Sequence, residues 1–114
     1  MQAIDFYHSG IDELRKGNFQ KAIQYLEHSN QMDEHYKTYE WLYLIWKKLD
    51  NSEKAFACLE KAFALNPCSD SVSVSYAGEL ALRGETAKAR GILQETIKRN
   101  ATCLPAVRLL EAIS

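Results

Sequence analysis

The side chains able to bind a metal or move a proton are few and scattered. His8, His28 and His35 have no histidine at i, i+4 and no cysteine at zinc spacing, so nothing presents two ligands to one ion. Asp12-Glu13 and Asp33-Glu34 are adjacent carboxylates, which on a helix point to different sides. They read as solvated surface rather than as an acid–base pair aimed at one substrate. Cys58, beside Leu59, reads as core, and nothing around Cys68 or Cys103 marks an activated nucleophile. The sequence has no glycine-rich phosphate loop, no G-x-S-x-G and no H-E-x-x-H. The expectation is a protein that is not an enzyme and uses neither metal nor cofactor.

What the chain offers instead is apolar and aromatic surface. Tyr39 to Trp46 reads YEWLYLIW, broken only by Glu40, and no Gly or Pro lies between Met32 and Pro67. The spacing predicts a helix from about Tyr36 to Leu49. A helix that is apolar on every side is normally buried, so this one is expected to sit among neighbours that the rest of the chain supplies.

The 114 residues are one domain's worth, enough to bury roughly two thirds of the unfolded chain's surface. Hydrophobic residues at 46% and charged residues at 25% suit a globular protein, and two prolines with five glycines favour helices throughout. Fourteen basic against fifteen acidic residues give a net charge of -1. That leaves no basic excess to neutralise phosphates, so no nucleic-acid partner is expected. Lys47-Lys48 and Lys98-Arg99 read as helix ends, where cations suit the dipole. The N-terminus lacks the marks of a secretory signal, and no run approaches the ~18 apolar residues of a membrane span. Three cysteines without C-x-x-C spacing fit reduced thiols. A cytoplasmic location is therefore expected.

The elements that would position this surface repeat. The segments RKGNFQKAIQYLEHS, KLDNSEKAFACLEKA and LRGETAKARGILQET align without gaps. Gly17, Asp50 and Gly84 take the turn, Ala22, Ala55 and Ala89 follow five residues later, and Leu26, Leu59 and Leu93 four after those. The alanines are 33 and then 34 residues apart. Each unit reads as two helices: about Gln2 to Lys16 with Phe19 to Met32, Tyr36 to Leu49 with Ser52 to Asn66, and Ser69 to Arg83 with Thr86 to Arg99. Ser52 is read as the cap of its helix, and Pro67 as its stop. SDSVSVSY alternates like a strand, but repeat register assigns it to a helix. In LPAVRLLEAIS, Pro105 suits a first helical turn, and Val107, Leu110 and Ile113 share a face.

The 34-residue spacing, with Leu42-Tyr43-x-x-Trp46, Ala55-x-x-x-Leu59, Ala62 and Pro67, resembles the tetratricopeptide repeat over essentially the whole chain. The resemblance implies an all-α, right-handed α-solenoid of antiparallel helix pairs with about seven helices. It implies a single domain over 1–114, with repeats at about 3–35, 36–69 and 70–103 and a capping helix at about 104–114. It places small residues where paired helices touch: Gly10, Ala22 and Ser29, then Ala55 and Ala62, then Ala77, Ala89 and Thr96. Tyr43 stands where Gly or Ala is usual, so the second pair is expected to be splayed or shifted. Physically, a lone helix pair cannot cover its apolar face, so pairs must stack and the last needs a cap.

In this family the first helix of each pair lines a concave groove. By that resemblance the groove residues here are Ile4, Tyr7, His8, Ile11, Lys37, Trp41, Leu44, Lys48 and Val74, with Ser71 and Ser75. Some members grip a chaperone's C-terminal carboxylate with Lys, Asn and Arg, but the matching positions hold Tyr7, Ile11, Trp41, Ser71 and Ser75, which cannot make that clamp. Two readings of the apolar residues stand. Tyr7, Ile11, Trp41 and Leu44 either pack on one another or receive a partner's side chains, since Trp and Tyr are favoured anchors. Trp46 and Leu42 are assigned to repeat packing. The expected function is a protein-interaction module, scaffold or chaperone-like adaptor, holding a peptide or amphipathic helix of another protein. The alternative is a self-associating protein whose groove or terminal helix closes a homodimer. A helical-repeat RNA binder would need base-reading groove residues.

Overall fold

Three turns set the register of the chain. In the computed structural model, which describes all residues from Met1 to Ser114, Gly17, Asp50 and Gly84 have φ of 81°, 59° and 86°. The residue after each donates its N–H to the carbonyl five back: Asn18 to Glu13, Asn51 to Trp46 and Glu85 to Leu80, all at 2.9 Å. Each turn residue bonds three back, Gly17 to Leu14 at 3.0 Å, Asp50 to Lys47 and Gly84 to Ala81 both at 3.1 Å. This is one helix-ending motif built three times, and its left-handed residue favours glycine.

Seven helices and no strand result: α1 (Ala3–Arg15), α2 (Phe19–Met32), α3 (Tyr36–Lys48), α4 (Ser52–Leu65), α5 (Asp70–Leu82), α6 (Thr86–Arg99) and α7 (Leu104–Ile113). The odd-numbered helices begin at intervals of 33, 34 and 34 residues, so α7 starts where the first helix of a fourth pair would. The strand-like SDSVSVSY is helical, as register required. Ser69 caps α5 by accepting the Val72 N–H at 3.4 Å, and Ser73 Oγ donates to the Pro67 carbonyl at 3.1 Å. Ser73 is thereby buried with its hydroxyl satisfied, while Ser69 stays half-buried at the helix start.

Close contacts divide the chain into two compact units, Met1–Ala62 and Phe63–Ser114. In the first, Ala22, Ile23, Leu26, Leu42 and Ile45 form the core, with Tyr7, Leu14, Phe19, Tyr39, Trp41, Trp46 and Cys58 packed around it. Burial of each such leucine or isoleucine contributes roughly 1.5–3 kcal/mol. Gly10 lets α1 and α2 approach closely, for a Cβ there would stand 2.7 Å from Leu26 Cγ. At the equivalent position Tyr43 is buried. Helix separation follows the side chains at the contact.

In the second unit Val72, Tyr76, Ala77, Leu80, Ala89, Leu93 and Ala106 are buried, and α7 packs on both α5 and α6. Asp70 ties the start of α5 to the end of α6 by an ion pair to Arg99 at 3.7 Å and a bond from Asn100 Nδ2 at 2.8 Å. The small residues assigned to the pair contacts, Ala22, Ser29, Ala55, Ala62, Ala77, Ala89 and Thr96, are all buried.

Three local expectations are corrected. The YEWLYLIW helix is not enclosed on every side: Leu42, Tyr43 and Ile45 are buried, but Leu44 is 45% exposed and Trp41 and Trp46 are half-buried. Asn51, not Ser52, caps α4, since its Oδ1 accepts the Lys54 N–H at 3.1 Å and Ser52 is already helical. In α7 the fully buried residue is Ala106, with Val107, Leu109, Leu110 and Ile113 half-buried around it. Glu111, at the register position of Gly10, Tyr43 and Ala77, is exposed, as the polar outer face of a terminal helix requires.

Candidate functional site

The first unit presents a face built by α1 and α3, the first helices of its two pairs. Tyr7 on α1 and Trp41 on α3 lean on the core cluster and meet at their polar tips, where Trp41 Nε1 donates to Tyr7 Oη at 2.9 Å. A half-buried indole has only this donor to satisfy. The bond leaves both rings partly open to solvent.

Each ring borders a depression. One, of about 350 Å³, is lined by Ala3, Ile4, Tyr7, Ser29, Asp33, His35, Lys37 and Thr38. Its walls are positioned by local bonds. Ser29 Oγ donates to the Ala3 carbonyl at 2.8 Å, and His35 caps α3 by accepting the Lys37 N–H on Nδ1 at 3.1 Å. The other, of about 510 Å³, is lined by Leu14, Phe19, Trp41, Tyr43, Leu44, Ile45, Lys47 and Lys48. Its only charged side chains are the two lysines in the last turn of α3.

Of the residues expected in the groove, Ile4, Tyr7 and Lys37 therefore share the first depression, and Trp41, Leu44 and Lys48 the second. Ile4 is 53% exposed and Leu44 45%. Ile11 is half-buried and His8 exposed, its ring 5.7 Å from that of Tyr7, and neither lines these two depressions. Val74 lies on α5 in the other unit and is half-buried. Sequence reasoning missed Leu14 and Phe19, which flank the Gly17 turn and come together because that turn folds α2 back on α1. It also missed His35 and Thr38. The assignment of Trp46 to packing stands, with one addition: Lys54 Nζ lies 4.5 Å from its ring centroid and covers it.

Two of the histidines lie against aromatic rings. The His28 ring lies 4.1 Å from Phe6, and that of His35 4.9 Å from Tyr36. Burial, then a bond donated to Glu34 at 3.0 Å, pushes the Tyr39 hydroxyl up to about 12. Burial, reinforced by Glu27, pushes the Cys58 thiol up to about 11. Raised values of this kind quench a nucleophile. The face offers apolar contact and hydrogen bonding, flanked by cations.

No protein-family model matches the sequence, and no curated protein does. Among solved structures, the crystal structure of yeast Tom70 superposes with a TM-score of 0.80 at 20% identity, over 97% of this chain and 23% of that one. The chain thus spans about a quarter of the length of that protein. No helix is long and apolar enough to cross a membrane. With seven helices, three identical turns and this superposition, the chain has the fold of a tetratricopeptide-like helical solenoid.

Proposed function

We propose that the chain is a non-catalytic protein-interaction module, a scaffold or chaperone-like adaptor, and that its α1–α3 face holds a peptide or amphipathic helix of a partner protein. The observation that carries the proposal is the pair of apolar depressions bordered by the bonded Tyr7 and Trp41 rings, with Ile4 and Leu44 exposed beside them. Aromatic rings fixed by a hydrogen bond lose little entropy when a ligand covers them, which suits an anchor site. An amphipathic helix presents apolar side chains at i, i+3, i+4 and i+7, a spacing that can reach two neighbouring hollows. A cytoplasmic setting belongs to the same proposal, favoured by three unpaired cysteines.

The test is a selection of helical peptides on the wild-type protein, counter-screened on Leu44→Lys. That residue is exposed, so the variant should keep its circular dichroism and melting temperature. Binders lost with Leu44→Lys support the groove; binders indifferent to it place recognition elsewhere.

Self-association is a second reading, favoured by Leu82 and Leu104, 79% and 56% exposed in the second unit. Sedimentation at rising concentration decides it. A dimer dispersed by Leu82→Lys or by Leu104→Lys would place that residue in an interface between copies.

A further inference from the structure

We infer that Asn30 is a positioning residue for the α1–α3 face: from inside the fold its amide holds the connection between α2 and α3 that lines the first depression. This rests on the reading of that face as the docking site and names what sets its shape. The connection is unlike the other two. Three residues, 33–35, separate α2 from α3, whereas four separate α4 from α5 (66–69) and α6 from α7 (100–103). That missing residue is why the first repeat interval is 33 and the others 34. The longer connections close on themselves. Asn66 accepts the Cys68 N–H on Oδ1 at 3.2 Å and the Ser69 N–H on its carbonyl at 3.3 Å. Asn100 does the same for Thr102 at 3.2 Å and Cys103 at 3.1 Å. Such an asparagine turn needs no outside support. The shorter connection has no residue to spare for it, and its last member, His35, donates its N–H to Asn30 Oδ1 on α2 at 3.2 Å.

Asn30 occupies the register position of Phe63 and Ile97 in the other repeats. An amide in that apolar setting carries a cost, and here its Nδ2 is buried with no partner. Stability does not explain the residue; the bond to His35 does. Through that bond His35 is set to cap α3 with Nδ1, and Asp33, His35, Lys37 and Thr38 line the depression. Asn30 itself does not line it. A wall fixed before a ligand arrives spares the ordering cost at binding.

The test sets Asn30→Leu, which fills the same space without an acceptor, against Asn30→Asp, which keeps one. Amide hydrogen exchange is read first, by NMR and without any ligand. In Asn30→Leu it should quicken about tenfold at Lys37 and Thr38, in the first turn of α3, while the melting temperature holds or rises because the unpartnered donor is gone. In Asn30→Asp exchange at those amides should stay near that of the wild type. Binding is read second, by tryptophan fluorescence, with an acetylated and amidated helical peptide that carries leucines at i, i+3, i+4 and i+7. It should bind Asn30→Leu about three- to tenfold more weakly than the wild type, and Asn30→Asp within about twofold. A lower melting temperature with unchanged exchange at Lys37 and Thr38 would make Asn30 an ordinary core residue and overturn the inference. Equal loss of binding in both variants would overturn the role of the acceptor. Equal affinity for the wild type and Asn30→Leu, with binding lost in Leu44→Lys, would overturn the positioning role and leave the groove standing. A peptide that binds none of these proteins would overturn both.

Discussion

Trp41 Nε1 and Tyr7 Oη are hydrogen-bonded at 2.9 Å across α3 and α1, and both rings rest on the same buried cluster. Trp41 is thus a structural residue and an accessible one at once. The two sequence readings, packing and anchoring, describe its two sides. Tyr7→Phe keeps the ring and removes the acceptor, so it should cost about 0.5–1.5 kcal/mol in a urea melt. Trp41→Ala should cost more, yet less than the ~3–5 kcal/mol of a fully buried aromatic, and about as much as Trp46→Ala. A cost near zero for Trp41→Ala would mean that the ring does not support the cluster.

Two helical glycines should respond to alanine with opposite signs. A Cβ at Gly10 would meet Leu26 Cγ at 2.7 Å, Leu26 Cδ2 at 2.9 Å and the Ala22 carbonyl oxygen at 3.3 Å, whereas one at Gly91 meets nothing within 4 Å. Leu26 is fully buried and Ala22 offers backbone, so neither can yield cheaply. Gly10→Ala should destabilise by about 1–3 kcal/mol despite its better helix propensity. Gly91→Ala should stabilise by about 0.4–1 kcal/mol through the unfolded chain. Matched thermal melts check both, and stabilisation by Gly10→Ala would remove the close contact assigned to the first pair.

How much was legible in the sequence follows from how local each feature is. The turns were, because a left-handed residue is needed at one place per repeat, and the alignment found Asp50 there although it is no glycine. The buried alanines were legible for the same reason. The exposure of Leu44 was not, because helical periodicity assigns residues to faces without saying how far the next helix stands away. That distance is set by packing between elements, which appears only in three dimensions. The cap of α4 was misplaced by one residue because Asn51 and Ser52 are both good caps, and only the backbone chooses between them. The hollow around Leu14 and Phe19 arises from chain reversal, which no linear pattern displays.

Stability should fall in alkali through two identified groups. Cys58 rises from 9.0 to about 11 and Tyr39 from 10.0 to about 12. In both, the folded state holds a proton that the unfolded state has already released. Their contribution is therefore complete below about pH 9, and is lost as pH rises through the intervals 9.0 to about 11 and 10.0 to about 12. Melting temperatures from pH 8 to 12 (roughly the window of those two shifts) should decline less steeply in Cys58→Ser and Tyr39→Phe than in the wild type. At mildly alkaline pH, iodoacetamide should modify exposed Cys68 well before Cys58, as mass spectrometry of a time course would register. Equal rates would mean that Cys58 is open to solvent.

Tyr43 provides the last prediction, since it holds the position that Gly10 and Ala77 hold in the other pairs and is buried there. Small residues let paired helices approach, and a phenol ring at that point is expected to hold α3 and α4 farther apart. The same ring lines the hollow beside Trp41, so the spacing of the second pair and the shape of the candidate site share one cause. Tyr43→Ala should open a void and cost on the order of 3–5 kcal/mol, less whatever α4 recovers by moving inward. If α4 does move, the hollow changes with it, and a peptide bound beside Trp41 should lose affinity although Trp41, Leu44 and Lys48 are all intact. Urea melts and peptide titrations on the same variant read the two effects separately. Full stability with unchanged affinity would show that Tyr43 spaces nothing.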